Sequence, residues 1–425
     1  MRWKLSHLEE LVDANIVCVI RLEGRVHECR LRSALSRVQR KHPVLRALIH
    51  GDAGGLYYEA DTAPEVPLRI VPRATEDDYR RECQIELTTR VADDQPQLRA
   101  VWLQSEMDSD LLLTTTHRVC DGMSVFIIAR EVLRSLHTDE ALIPYAPVTV
   151  RDIIGDYEPP QPWKRRLAVS LINGLLSLVP AARRAPDIHE HCVEWRAGPA
   201  LSNAMTQRCR AEGVSVHAVL VVALERALCA VFGRHLPKSI VNPIDLRRGR
   251  FAVLKSDMVF SGGGSFTIRT EYSPEVDFWA RARSIHAQIP EKVAQEVLDI
   301  PGRFQFLEML RPLSNGQIQS IVRLGDVLKI TGGWNRVGLS NLGNLAISGS
   351  DDPFRLKDVR LYVHSFNIRM LGLIPYTVNG EMSFCWVSDE KFMSRSQVDS
   401  LKCAFMALLQ RHAVLQDCAS EVAAC

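Results

Sequence analysis

Residues 114–124 read TTTHRVCDGMS. The β-branched threonines favour a strand, and the apolar, periodic text beyond Gly122 favours a helix, so His117, Asp121 and Gly122 fall on a strand-to-helix turn. A neutral imidazole displayed there can take a proton from an incoming nucleophile, because the flanking elements hold a short loop rigidly. The spacing H-x-x-x-D is a weak signal by itself in a chain with 13 histidines. On residue types alone two readings stand side by side. His117 is either a general base, or a polar strand end followed by an aspartate that caps the next helix.

The elements that must position this turn can be read on both sides of it. NIVCVIRLEG, residues 15–24, has the apolar look of a strand closed by glycine. ECRLRSALSRVQRKHPVLRALI follows with helical spacing that puts Leu31, Leu35 and Val38 on one face, and His42-Pro43 ends the helix. VWLQS and LLLTTT flank the polar EMDSD, which predicts a β-hairpin over residues 101–116 whose second strand delivers His117. SVFIIAREVLRSL places Val125, Ile128, Val132 and Leu133 between charges and predicts a helix starting near a serine cap.

Farther along, LSNAMTQRCRAEG reads as a helix broken at Gly213, and VSVHAVLVVALERALCAVFG as a longer, buried one. IVNPIDLRRGR gives a short strand entering a turn, and further strands are expected around VGLSNLGN, RLYVHSFN and EMSFCWVS. Strands come as neighbours as often as they alternate with helices, so the class is α/β with mixed or antiparallel pairing.

With 425 residues, 46% hydrophobic and 24% charged, the chain exceeds one comfortable core, and two domains are expected. The three prolines of DYEPPQP, residues 156–162, mark the connection: an N-terminal half over 1–160, a crossover over 161–190 and a C-terminal half over 191–425. A net charge of +2 offers no broad basic face for nucleic acid. The eleven cysteines are scattered and never spaced C-x-x-C, as expected of reduced thiols in a cytoplasmic protein. The charged MRWKLSHLEELVDA does not read as a signal peptide, and no run of 18 apolar residues occurs.

WKRRLAVSLINGLLSLVPAARR, basic at both ends and apolar between, fits a membrane-surface helix or a crossover helix packed on the second domain. The interruption at Asn173 and Gly174 favours the second. HEHC at 189–192 lacks the i, i+4 spacing of a helical zinc pair, so no metal is expected. SGGGSF lacks the G-K-[ST] of a phosphate loop. His217 and His364 lie in apolar text and read as structural.

Four separate stretches resemble the chloramphenicol acetyltransferase-like superfamily, which includes condensation domains, polyketide-associated acyltransferases and plant BAHD acyltransferases. LRSALSRVQRKHPVLRALI looks like the helix ending in the family's RHPxLR element, with His42, Pro43, Leu45 and Arg46 in place. THRVCDG looks like HHxxxDG, NPIDLR (Asn242 to Arg247) is similar to PVDLR, and SNLG (Ser340 to Gly343) is similar to SNxG. They follow the family's order across residues 31–343. The family's first histidine is Thr116 here, which leaves the HxxxDG form and speaks less for amide synthesis than for catalysis in general.

The resemblance implies a pseudo-dimer of two α/β halves with mostly antiparallel sheets and a tunnel between them. It implies a stand-alone acyltransferase, expected as a monomer, with His117 as general base. The acyl donor would be a thioester on coenzyme A or on a carrier protein's phosphopantetheine arm, with no permanently bound cofactor, and the acceptor a small-molecule alcohol. The product would be an ester in a secondary-metabolite or lipid pathway. A condensation enzyme forming an amide and a silent binding module of the same fold are the alternatives. Asp121 is expected to pair with Arg247. Gly122 either helps to hold the oxyanion or only turns the chain. Ser340 and Asn341 would donate to the tetrahedral intermediate or line the tunnel, and Trp334 would wall the acceptor pocket or pack in the core. Arg247, Arg248 and Arg250 suit either donor, phosphate or carrier domain.

Overall fold

The structure is a computed structural model that describes the 425 residues apart from 53–54, 183–187, 250, 272–274, 329–335, 346–353 and 414–425. The first part of the chain forms β1 (Arg2–Lys4), α1 (His7–Leu11), β2 (Ala14–Gly24), α2 (Glu28–Lys41), β3 (Leu48–Asp52), β4 (Gly55–Glu59), β5 (Leu68–Pro72), α3 (Glu76–Thr88), β6 (Leu98–Gln104), β7 (Asp108–Thr116), α4 (Gly122–His137) and α5 (Val150–Ile154). A crossing helix, α6 (Pro162–Ser177), leads to β8 (Glu190–Arg196), α7 (Pro199–Ala211), α8 (Val216–Phe232), β9 (Ser239–Ile244), β10 (Gly264–Arg269), α9 (Phe278–Met309) and α10 (Asn315–Val327). The chain ends in β11 (Arg336–Leu339), β12 (Asn344–Leu345), β13 (Phe354–Ser365), β14 (Leu371–Val378), β15 (Glu381–Asp389) and α11 (Arg395–Ala413).

Two large sheets organise these elements. The first has the order β13-β2-β7-β6-β5, antiparallel except for the parallel pair β5 and β6. The expected hairpin is β6 and β7, and β2 lies beside it, with Asn15 opposite Thr116. β13 enters this sheet from residues 354–365, so a strand from late in the chain completes the sheet that carries the HxxxDG turn. Its burial alternates along the strand, the pattern of a sheet with one face on the core.

The second sheet runs β10-β9-β11-β14-β15-β8, with β12 also pairing β14, and is mixed: β11 is parallel to both β9 and β14. Pro375 lies in β14 where the neighbouring strand is interrupted between β11 and β12. A proline cannot donate to a ladder, and the irregular segment Ser340–Gly343 occupies that gap. Ser340 donates to the Leu373 carbonyl and Leu342 to the Pro375 carbonyl, both at 2.9 Å, and Thr377 donates to the Gly343 carbonyl at 2.9 Å.

Three buried clusters account for the packing around the site. One joins α2 and α4 to the first sheet and takes in Leu342, Ile374 and Tyr376 from the second. Another surrounds α8 with α11 and the inner face of the second sheet. α8 is apolar enough by composition to span a membrane, but Ala218 to Leu224 are all buried in this cluster. A smaller group packs α5 and α9 against Leu246, Met258 and Phe260. α6 differs from its sequence expectation. It runs unbroken through Asn173 and Gly174 and buries only Val169.

Candidate active site

β7 ends at Thr116 and the chain turns at once. His117 N–H donates to the Ala14 carbonyl of β2 at 2.7 Å, and Val119 and Cys120 N–H both reach the Thr116 carbonyl at 3.2 Å. The helix that follows begins at Gly122, not at Ser124. Asp121 is its cap, with Oδ1 accepting from Ser124 N–H at 2.8 Å. Ser124 is therefore inside the first turn. Its hydroxyl donates to the Phe260 carbonyl at 2.8 Å.

The cap is also one half of a buried ion pair. Arg247 holds both carboxylate oxygens of Asp121, Nη1 to Oδ2 at 2.8 Å and Nη2 to Oδ1 at 3.0 Å. Its remaining N–H groups go to the Met258 carbonyl (2.6 Å), the Phe260 carbonyl (2.8 Å), Ser124 Oγ (2.6 Å) and Asp245 Oδ1 (3.1 Å). A guanidinium that is 3% exposed is costly unless every donor is satisfied. Burial works against its charge, but Asp121 and Asp245 outweigh burial and raise its pKa further.

The irregular segment of residues 257–263 that supplies those carbonyls is tied down from the other side. Lys41 Nζ bridges Glu131 and Asp257, at 2.5 and 2.6 Å, and Tyr145 donates to Asp257 at 2.6 Å. His42 Nδ1 accepts from Val259 N–H at 3.4 Å, which leaves Nε2 to donate to Glu131 at 2.8 Å. Burial pushes the Asp257 carboxyl up, but the bonds from Lys41 and Tyr145 prevail and lower its pKa. The Lys41-His42-Pro43 element is thus a brace for the turn, remote from the reacting space.

His117 stands apart from this network. Its carbonyl accepts from Ser261 Oγ at 2.8 Å. Its ring nitrogen Nδ1 is buried and has no hydrogen-bond partner among the described residues. The ring lines a cavity of about 320 Å³ shared with Asp121, Gly122, Arg248, Ser340 and Asn341. Asn341 also lines a larger cavity of about 780 Å³ bounded by α7, α8 and β14, so the two spaces adjoin at that residue. Asn341 Oδ1 accepts from Gly343 N–H at 2.9 Å. Gly343 itself has φ +75°, a conformation that favours glycine.

Five of the expected site residues, His117, Asp121, Gly122, Ser340 and Asn341, thus meet around one space, and Arg247 lies directly behind. Trp334 and Arg250 lie outside the described residues. Arg247 is fully engaged and offers nothing to a phosphate, whereas Arg248 is exposed at the cavity wall. Gly122 has a third explanation beyond the two weighed on sequence: a Cβ there would stand 2.9 Å from Leu342 Cδ2. A side chain there would push Leu342 aside where the helix start approaches the Ser340–Gly343 segment.

Gly262 and Gly264 are required in the same way. A Cβ on Gly262 would meet the Phe260 ring, and one on Gly264 would come within 2.8 Å of Ile244. Cys120, next to the turn, is no nucleophile at neutral pH: burial pushes its thiol up to about 12. His191 of HEHC is buried and bonds Ser388 Oγ at 3.1 Å, and burial lowers its pKa. Among the described residues no three His, Cys, Asp or Glu side chains converge as a metal site would require.

No family model matches the sequence, and no curated protein matches it either. Solved structures do match over nearly the whole chain. The polyketide synthase associated protein 5 of Mycobacterium tuberculosis aligns with a TM-score of 0.66 at 14% identity, covering 96% of this chain and 98% of that one. The chain has the chloramphenicol acetyltransferase-like fold. The trichothecene 15-O-acetyltransferase of Fusarium sporotrichioides aligns at 0.67 with 11% identity, covering 97% of this chain and 94% of that one. A condensation domain from the monacolin K polyketide synthase aligns at 0.66 with 13% identity and 97% coverage of both. In this fold the two sheets are the cores of the two halves of a pseudo-dimer, as the sequence resemblance implied. Identities this low fix the architecture and leave the chemistry to be argued from the site.

Proposed function

We propose that this chain is an acyltransferase that moves an acyl group from a thioester to a hydroxyl, with His117 as general base. The observation that carries the reading is the placement of His117. It lines the cavity walled by Gly122, Ser340 and Asn341, on a turn whose aspartate is held by Ser124 N–H and Arg247. Because Nδ1 is sealed from solvent, the nitrogen left for an incoming nucleophile is Nε2.

In the reaction the acceptor oxygen attacks the thioester carbonyl carbon while Nε2 takes its proton. The carbonyl oxygen becomes an oxyanion. The carbon–sulfur bond then breaks, and the thiolate leaves with the proton from the imidazolium. The amide of Asn341, whose oxygen is committed to Gly343, and the hydroxyl of Ser340 are the donors assigned to the oxyanion. The donor is an acyl group on coenzyme A or on a phosphopantetheine arm, and Arg248 at the cavity wall is the cation available to either. The acceptor is a small alcohol. The same reading places the reaction in the cytoplasm, on the strength of the scattered cysteines.

The test is thiol release from a panel of acyl-coenzyme A and acyl-carrier thioesters, with alcohol and amine acceptors side by side. Release should depend on an alcohol and fall about 10²- to 10⁴-fold in His117→Ala, the contribution of a positioned general base. An amine that supports equal turnover and is insensitive to His117→Ala would favour amide formation. Identical wild-type and variant rates with every donor would leave a binding module.

A further inference from the structure

α6 carries a face that none of the described residues covers. Trp163, Leu167, Leu171 and Leu175 recur every fourth residue, so each lies about 40° around the helix from the last and the four form a continuous stripe. With Leu178 at the end of the helix, these side chains are between 55% and 78% exposed. The opposite, narrower face makes the contacts to α9. Arg165 bonds the Gly302 carbonyl at 2.6 Å and Gln305 at 2.8 Å, and Asn173 accepts from Arg311 N–H at 2.8 Å.

The charges on the same segment are of one sign. Between residues 159 and 186 there are five basic residues and no acidic one. Lys164 and Arg166 are exposed at the start of the helix, and Lys164 Nζ lies 5.4 Å from the Trp163 ring. Cations in a first helical turn oppose the helix dipole, and α6 has neither an acidic residue in its first turn nor a side-chain cap. Helix stability does not account for them.

We propose that α6 docks the protein on an anionic phospholipid surface, with the leucine stripe and Trp163 in the acyl–headgroup boundary and Lys164 and Arg166 on lipid phosphates. A leucine-rich stripe beside basic residues, with an indole at one end, is the composition that lies in a bilayer interface. Protein hot spots are poor in leucine by comparison. The inference is independent of the chemistry at His117, and its test reads no activity.

The experiment is flotation of the full chain with vesicles of pure phosphatidylcholine and of equimolar phosphatidylcholine and phosphatidylglycerol. The protein should float with the anionic vesicles, and added salt should weaken binding. Leu171→Asp with Leu175→Asp should lower the partition at least about tenfold, since burying one leucine is worth roughly a tenfold change or more. Lys164→Glu with Arg166→Glu should lower binding to the anionic vesicles and leave the weaker binding to pure phosphatidylcholine unchanged. All four positions are exposed, so thermal melts of the variants should match the wild type. Wild-type protein that stays in the aqueous fraction with both vesicles overturns the proposal, as does a double-aspartate variant that floats equally well. A dimer in sedimentation that Leu171→Asp converts to a monomer also overturns it, in favour of a second copy as the cover.

Discussion

Asp121 and His117 are four residues apart on one turn, and their surroundings are opposites. Asp121 accepts three hydrogen bonds, from Ser124 N–H and from two nitrogens of Arg247, and Arg247 is itself saturated by carbonyls from a second segment. The His117 ring has a buried Nδ1 without a partner and otherwise faces open space. The difference separates two duties. A residue whose every bond is made inside the protein holds geometry, and a residue left unsaturated at a cavity is available to a substrate.

The sharpest way to break this contrast is to remove each side chain in turn. His117→Ala should lose about 10²- to 10⁴-fold in turnover with an unchanged melting curve. Asp121→Ala should instead lose about 3 kcal/mol of stability, because the buried Arg247 loses the carboxylate that holds both its terminal nitrogens and keeps only Asp245. Chemical denaturation of both variants beside their rates checks the pair. A soluble Asp121→Ala of wild-type stability that is merely slower would end the assignment of Asp121 as a structural group.

A milder change keeps the charge and removes the geometry. Arg247→Lys cannot span both carboxylate oxygens and also reach the Met258 and Phe260 carbonyls, so about 1–3 kcal/mol should be lost from unmet buried acceptors. Gly122→Ala tests the contact between the halves. Its new methyl meets Leu342 at 2.9 Å, and the strain of overpacking, about 1–2 kcal/mol, should be relieved by Leu342→Ala in a double-mutant cycle.

The local elements around the site were legible from periodicity: β2, the β6–β7 hairpin and α4 appear where the apolar spacing put them. The four motif segments were legible only through resemblance, and the structure explains why they belong together. Four facts had no sequence signal. Met258 and Phe260 serve Arg247 through backbone carbonyls, which any residue type would supply. β13 reads clearly as a strand, but its choice of β2 as partner is a pairing across more than 300 positions that alternation cannot specify. The helix start was assigned to a serine because Ser, Thr and Asp are all good caps, and only the position of Arg247 decides for Asp121. The loop serine that fixes the His117 carbonyl, Ser261, was likewise invisible beside its run of glycines.

The smallest effect concerns a histidine that serves packing alone. His217 lies at the start of α8, edge-on to Phe266, and burial lowers its pKa to about 4 despite an opposing influence of the Asn242 side chain. The unfolded chain would bind a proton there near the ordinary value of about 6.5. The unfolded state therefore takes up more protons as pH falls through that range, and the native state loses stability from about pH 6.5 down toward about pH 4. The stabilisation is complete above this window. Between about pH 7 and about pH 5.5 the loss from His217 should be about 1 kcal/mol, and His217→Gln should flatten that slope in thermal melts. If His217→Gln keeps the wild-type slope, the buried imidazole of α8 does not set it, and the second core is no sealed counterpart to the open space at His117.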